Sequence, residues 1–226
     1  MSTPAPRRTQ AERSAQMRQR LMEATLDCLE QEGYAGTTVS RIVDRAQVSR
    51  GAPVHHFPSK AALIAAAAEW LIRQLYIQLG QAILELPESD HRLEDIILRC
   101  WRKVFGRREN VAMLELMLAS RHDPELADMM RNLWTAGYNT IKVAADHYFE
   151  PLHPEDNVRH LMTLTQWLLR GMSLDLHLVH DPQIFEHFIV LWTRLLATQL
   201  RPRPGVSGPP PRPAQWDTSV TAIHIK

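Results

Sequence analysis

The stretch that decides the fold is Gly33–Lys60, GYAGTTVSRIVDRAQVSRGAPVHHFPSK. Within it Val39, Ile42, Val43 and Ala46 recur at helical spacing, so one face of residues 38–46 packs against a partner helix, with Thr37 where an N-cap belongs. A second short helix is expected after Gln47 and Val48, with Ser49 as its N-cap and Arg50, His55, His56 and Lys60 presenting polar tips around it. Two helices joined by a few residues form a helix-turn-helix, a unit whose second helix enters the major groove of DNA.

Outward from this unit, residues 11–32 carry apolar groups at Met17, Leu21, Ala24, Cys28 and Leu29, and Gly33 follows as a stop. This predicts a first helix that serves as the scaffold behind the motif. Residues 1–12, with Pro4, Pro6, Arg7 and Arg8, lack periodicity and are expected to form a flexible basic arm. Past Phe57, which the pattern assigns to the core, Pro58-Ser59-Lys60 opens an Ala-rich run to about Leu86 that is long enough for a connecting helix. Helical patterns then cover 93–105, 110–120, 124–149, 154–179 and 182–200, each break punctuated by Pro, Gly or Asp, with no convincing strand. The Pro- and Gly-rich segment 201–226 is expected to be a disordered or extended tail.

The stretch and the helix before it resemble the N-terminal domain of the TetR family of bacterial transcriptional regulators. The residues that carry the likeness are Gly33-Tyr34, Thr37-Thr38, Ile42-Val43, Ala46-Gln47-Val48, Ser49-Arg50-Gly51 and His55-His56-Phe57-Pro58-Ser59-Lys60, and it extends over roughly residues 13 to 70. Two departures stand out: Gln47 where the family's turn usually has Gly, and Pro53-Val54 inside the second helix, where a Tyr is more usual in place of Val54. Counted from a Ser49 cap, Pro53 would delete the first intrahelical hydrogen bond, so the helix either starts late or has an irregular first turn. The resemblance implies an all-α homodimer of about nine helices. Residues 13–60 would be a three-helix DNA-binding domain, and 61–200 a larger bundle for ligand binding and dimerisation.

Composition agrees with that division. Net charge is only +1, but residues 1–60 hold nine Lys or Arg against six Asp or Glu, so the basic excess lies with the motif. Neither an apolar run of membrane-spanning length nor a signal-peptide core is present, so the expected location is the cytoplasm. Cys28 and Cys100 are widely separated, which fits a reducing compartment; Cys28 sits on the apolar stripe of the first helix and is expected to be a core residue. We find no GxSxG, HExxH or phosphate-cradling glycine loop, and no ligand set for a metal, so the expectation is a protein that is not an enzyme and has no cofactor.

The DNA-binding set expected from motif and resemblance is Thr37, Thr38, Arg41, Arg45, Ser49, Arg50, Gly51, His55, His56 and Lys60. Thr37 and Thr38 are at a helix N-terminus that suits a phosphate, Arg41 and Arg45 flank phosphates, Lys60 takes the family's phosphate position, and Arg50 reads base edges. In the larger domain Trp101, Met113, Met117, Trp134, Tyr138, Trp167 and Arg170 are the candidate lining of a pocket for an aromatic or acyl effector, with ordinary core packing as the alternative for each. The expected function is a repressor released from a palindromic operator on double-stranded DNA by a small, largely apolar effector. The alternatives are a helical DNA-binding protein without a ligand and an interaction module that has lost specific DNA binding.

Overall fold

The computed structural model describes residues 9–86, 89, 91–107, 109–206 and 208–211. The expected basic arm at 1–8 and most of the expected tail, 212–226, lie outside the described residues. Among those described, nine α-helices and one two-stranded ribbon make up the regular structure: α1 (Gln10–Gly36), α2 (Val39–Ala46), α3 (Ala52–His56), α4 (Lys60–Leu84), α5 (Arg92–Cys100), α6 (Glu109–Ala119), α7 (Pro124–Tyr148), β1 (Phe149–Pro151), α8 (Val158–Leu174), α9 (Gln183–Leu196) and β2 (Leu200–Pro202). Cys100 leads directly into a π-helical turn, Trp101–Phe105, closed by Gly106 N–H donating to Trp101 O at 2.7 Å. The all-α class expected from the sequence is the class observed.

Local chemistry sets most helix ends. Thr9 and Glu12 form a reciprocal capping box at the start of α1, Ser59 caps α4 through Ala62 N–H, and Asp123 and Asn157 cap α7 and α8. Gly33 interrupts α1 at φ 68, ψ 179, a conformation open essentially to Gly, and a Cβ there would stand 2.9 Å from Glu115 Oε2. Helical turns therefore flank Gly33 on both sides, and the last of them delivers Tyr34 to the far side of the kink.

Two clusters of apolar side chains form the interior. The first gathers Leu21, Met22 and Leu29 of α1, Ile42 of α2, Phe57, Leu63, Ile64 and Ala67 of α4, and Leu116 of α6. The second gathers Ile97, Trp101, Leu169, Phe185, Ile189 and Leu196. Helix α4 belongs to both, with Leu71 in the first and Ile83 in the second. At about 1.5 Å of rise per residue, its 25 residues reach roughly 37 Å.

The segment after Arg201 departs from the expected tail at its beginning. Leu200–Pro202 pairs antiparallel with Phe149–Pro151; Leu200 is buried, Arg201 Nε is 2.7 Å from Glu150 Oε1, and Arg203 Nε donates to Asp146 O and Phe149 O. Proline favours extended backbone, and one buried leucine with two arginines on one acid suffices to hold such a segment down. Helix α8 also begins four residues later than its pattern predicts, at the Asn157 cap rather than Pro154.

Gln47 ends α2 in the left-handed conformation, φ 52, ψ 50, the only described non-glycine residue at positive φ. An L side chain there costs about 1 kcal/mol relative to Gly. Gln47→Gly should therefore raise the unfolding free energy by about that amount in urea titrations; an unchanged or lower stability would contradict the assignment.

Candidate nucleic-acid interface and ligand cavity

At the N-terminal end, α2 and α3 are fixed from behind by two arginines of α1. Arg20 donates to Ala46 O at 2.6 Å and to Gln47 O, at the C-terminal end of α2, and Arg18 donates to His56 O at 2.8 Å, at the end of α3, with its guanidinium 4.5 Å from the Phe57 ring centroid. Cations are favourable at helix C-termini because the carbonyls there are unsatisfied and carry the negative end of the dipole. The sequence reading missed both; they flank the apolar stripe of Met17, Leu21 and Cys28 on its two sides.

The expected DNA-binding residues divide on inspection. Thr37 is fully buried and its hydroxyl donates to Gly33 O at 2.7 Å, so it closes α1 and its side chain is not offered to a phosphate. The N-cap of α2 is Thr38, exposed, accepting from Arg41 N–H. Ser49 does not cap α3; the cap position is Gly51, and Pro53 consequently falls within the first turn, where its missing N–H removes no helical bond. The late start resolves the conflict raised by Pro53, which is itself buried with Ala52.

Arg45 is held against α1 by Gln31 Oε1 at 2.8 Å and Glu32 Oε1 at 3.3 Å, and Arg41 shares Glu32 at 3.2 Å while remaining mostly exposed. Ser49, Arg50, Gly51, Val54 and His55 form the exposed edge of the unit. Val54 is 76% exposed, an apolar side chain with nothing on the protein to cover it, and was not among the expected contacts. His56 is partly buried, and burial followed by the charge of Arg18 pushes its pKa down.

Lys60, at the first turn of α4, places Nζ 4.9 Å from the Tyr34 ring centroid. The Tyr34 hydroxyl donates to Asp123 Oδ2 at 2.7 Å, the same Asp whose Oδ1 caps α7. The cap on Leu126 N–H and then the Tyr34 bond lower the Asp123 pKa, while burial and the Asp123 carboxylate push that of Tyr34 up to about 12. One carboxylate thus joins the kinked end of α1, the start of α7 and, through the ring, the start of α4.

In the larger domain a cavity of about 740 Å³, open to solvent on one side, is lined by α4, α5, the π-helical turn, α6, α7, β1 and α8. That volume is typical of small-molecule sites, and π-helical turns occur often at functional sites. Met113, Met117, Trp134, Tyr138 and Arg170 lie in its wall. Trp101 does not: it is buried in the second core with its ring centroid 5.3 Å from that of Phe185. Trp167 is half exposed and stacks on Trp134 from outside, centroids 6.4 Å apart. Cys100 borders the cavity, and burial pushes its thiol up to about 12, which favours the neutral form. Cys28 is buried in the first core, as its stripe predicted.

Residues 21–67 match the profile of the bacterial regulatory proteins of the tetR family. The chain carries a DNA-binding domain of the TetR type. This matched region coincides with the unit built around α2 and α3, and the chain is accordingly a transcriptional regulator with a DNA-binding helix-turn-helix. It is 34% identical over 122 residues to the HTH-type transcriptional regulator CymR of Pseudomonas putida, an alignment that takes in 54% of this chain and 60% of CymR. It is 26% identical over 196 residues to an HTH-type transcriptional regulator of Mycobacterium tuberculosis, covering 85% of this chain and 99% of the relative. A TetR transcription regulator from Haloarcula marismortui superposes with a TM-score of 0.64 at 18% identity, over 83% of this chain and all of that one, which places the larger domain in the same fold. Among the described residues of this TetR-type chain no helix is long and apolar enough to cross a membrane, and no group of three or more His, Cys, Asp or Glu could hold a metal ion.

The raised Tyr34 pKa has a pH consequence. Because the unfolded chain ionises Tyr34 near about pH 10 and the folded one only near about 12, the contribution is intact below about 10 and is lost as pH rises from there towards 12. Tyr34→Phe should remove that share of the alkaline loss in urea midpoints measured across the range. An unaltered alkaline slope in the variant would show that folding does not raise the pKa of Tyr34.

Proposed function

We propose that this chain is a cytoplasmic, homodimeric repressor released from a palindromic operator by a small, largely apolar effector. The observation that carries the reading is the placement of α4: its first turns pack into the core of the helix-turn-helix through Leu63, Ile64 and Ala67, and its later turns wall the cavity through Ile72, Leu75 and Ile83. An effector that favours one position of α4 therefore favours one position of the DNA-reading unit. The ligand must prefer the geometry that does not bind the operator, since equal affinity for both would release nothing.

Dimerisation is supported by two exposed apolar stripes at helical spacing, Leu164, Trp167 and Leu174 on α8 and Ile184, Phe188, Leu191 and Leu195 on α9. A two-fold pairing of these stripes gives a four-helix interface and sets two recognition helices on half-sites one or more helical turns apart. On each half-site Arg50 is the base reader and Val54 contacts a thymine methyl. Thr38, Arg41, Ser49, His55 and Lys60 hold phosphates, and Gly51 lets the backbone approach. In this reading Thr37 and Arg45 are scaffold, and His56 acts through its carbonyl.

Selection of bound duplexes from a random pool, followed by a panel of apolar compounds scored for release, tests the whole reading. It predicts a palindromic sequence and at least one releasing compound; enrichment of no sequence would refute it. On the selected duplex, Arg50→Ala should lose preference over a scrambled duplex. Lys60→Ala should weaken both alike and flatten the salt dependence by about one phosphate's worth. Identical behaviour of the two variants would undo the division of roles. Leu191→Glu should convert a dimer to a monomer in light scattering after gel filtration, and a variant that stays dimeric would exclude the α8–α9 interface.

A further inference from the structure

The cavity wall holds two arginines and no Asp or Glu. Arg131 is exposed and forms an ion pair with Asp128. Arg170 is different: its guanidinium lies 5.4 Å from the Trp134 ring centroid, and among the described residues it has no carboxylate or carbonyl in hydrogen-bonding range. Burial lowers its pKa and no charged neighbour contributes to the shift, which is the signature of a cation facing an apolar space without a counter-ion. Desolvating a guanidinium without a partner is costly, and such a group is retained where something else supplies the anion.

Its surroundings favour the same ligand. Gln166 is one helical turn before Arg170 on α8, and Tyr138 is one turn after Trp134 on the facing α7; both line the cavity, and neither side chain has a hydrogen-bond partner among the described residues. The amide and the hydroxyl are donors that can supplement a guanidinium around a carboxylate. The rest of the wall is chiefly apolar, with Ile72, Ile96, Met113, Met117 and Leu169 among its groups. A cationic ligand would meet Arg170 and no acid, and a neutral one would leave Arg170 unpaired.

We propose that the effector of this TetR-type regulator is an apolar monocarboxylate, its carboxylate paired with Arg170 and assisted by Gln166 and Tyr138, its body in the space between α4 and α7. The proposal rests on the reading of this cavity as the effector site and names the chemical class that site takes. The Trp134 indole keeps the guanidinium in place when the cavity is empty, so the pair forms with little reordering.

The probes are 5-phenylpentanoate, its primary amide and 4-phenylbutyl-trimethylammonium, which share a body and differ in the head group. Dissociation constants come from tryptophan fluorescence and calorimetry on the full chain, and release is scored on the duplex selected above. The acid should bind at least about tenfold more tightly than the amide, the usual margin for a charge-assisted hydrogen bond over a neutral one, and the cation should bind most weakly. Arg170→Gln should bring the acid-to-amide ratio close to one, and Arg170→Lys should restore part of it. The comparison of acid with amide on the unaltered protein needs no variant to fold. Equal binding of acid and amide, tighter binding of the cation, or binding of none of the three at millimolar concentration would overturn the carboxylate assignment. Failure of the wider reading looks different: the acid binds with the expected preference, yet duplex affinity does not change.

Discussion

A single helix that two hydrophobic cores must share is the constraint on which the rest of this structure depends. Helix α4 cannot be repositioned against the larger domain without carrying Leu63, Ile64 and Ala67 with it, because those side chains are fully or almost fully buried among α1, α2 and α6. Packed interiors do not deform continuously; they shift between discrete arrangements. Because the later turns of α4 wall a cavity, the proposed reading couples the orientation of the helix-turn-helix to the occupancy of that cavity. The Asp123 carboxylate reinforces this relation, since it bonds Tyr34 while capping α7, a helix that walls the same cavity.

The DNA-reading unit was legible because its signals are local: Ile42, Val43 and Ala46 at helical spacing and Ser59 before α4 all took the structural roles their types imply. The errors there were of one position. Thr37 and Thr38 both suit an N-cap, and only the kink at Gly33 decides that Thr37 turns inward to close α1. Ser49 lost its cap to Gly51 because Pro53, fixed in φ, is best placed in a first turn. Arg18 and Arg20 went unnoticed because nothing in sequence separates a solvated arginine from one aimed at a carbonyl across the fold.

The larger domain was legible as helices and much less so as a site. Periodicity places Met113 and Tyr138 on inward faces, but an inward face leads equally to a cavity or to a core, and Trp101 went to the core. Trp167, at comparable spacing, faces outward onto Trp134, so the exposed stripe of α8 touches the ring that covers Arg170. The strand pair of 149–151 with 200–202 was hidden by its proline content, since its stability comes from contacts distant in sequence: Glu150 with Arg201 and Arg203, and Leu200 in the second core.

The most direct measurement of coupling between the two ends is the affinity of a releasing effector for the free protein and for the protein bound to its selected duplex. Linkage requires the two ligands to weaken each other by the same factor. The account predicts that the effector's dissociation constant rises on the DNA-bound protein by the factor by which the effector raises that for DNA. Equal effector affinity for the free and DNA-bound protein would contradict it, because the cavity would then be indifferent to the state of the helix-turn-helix.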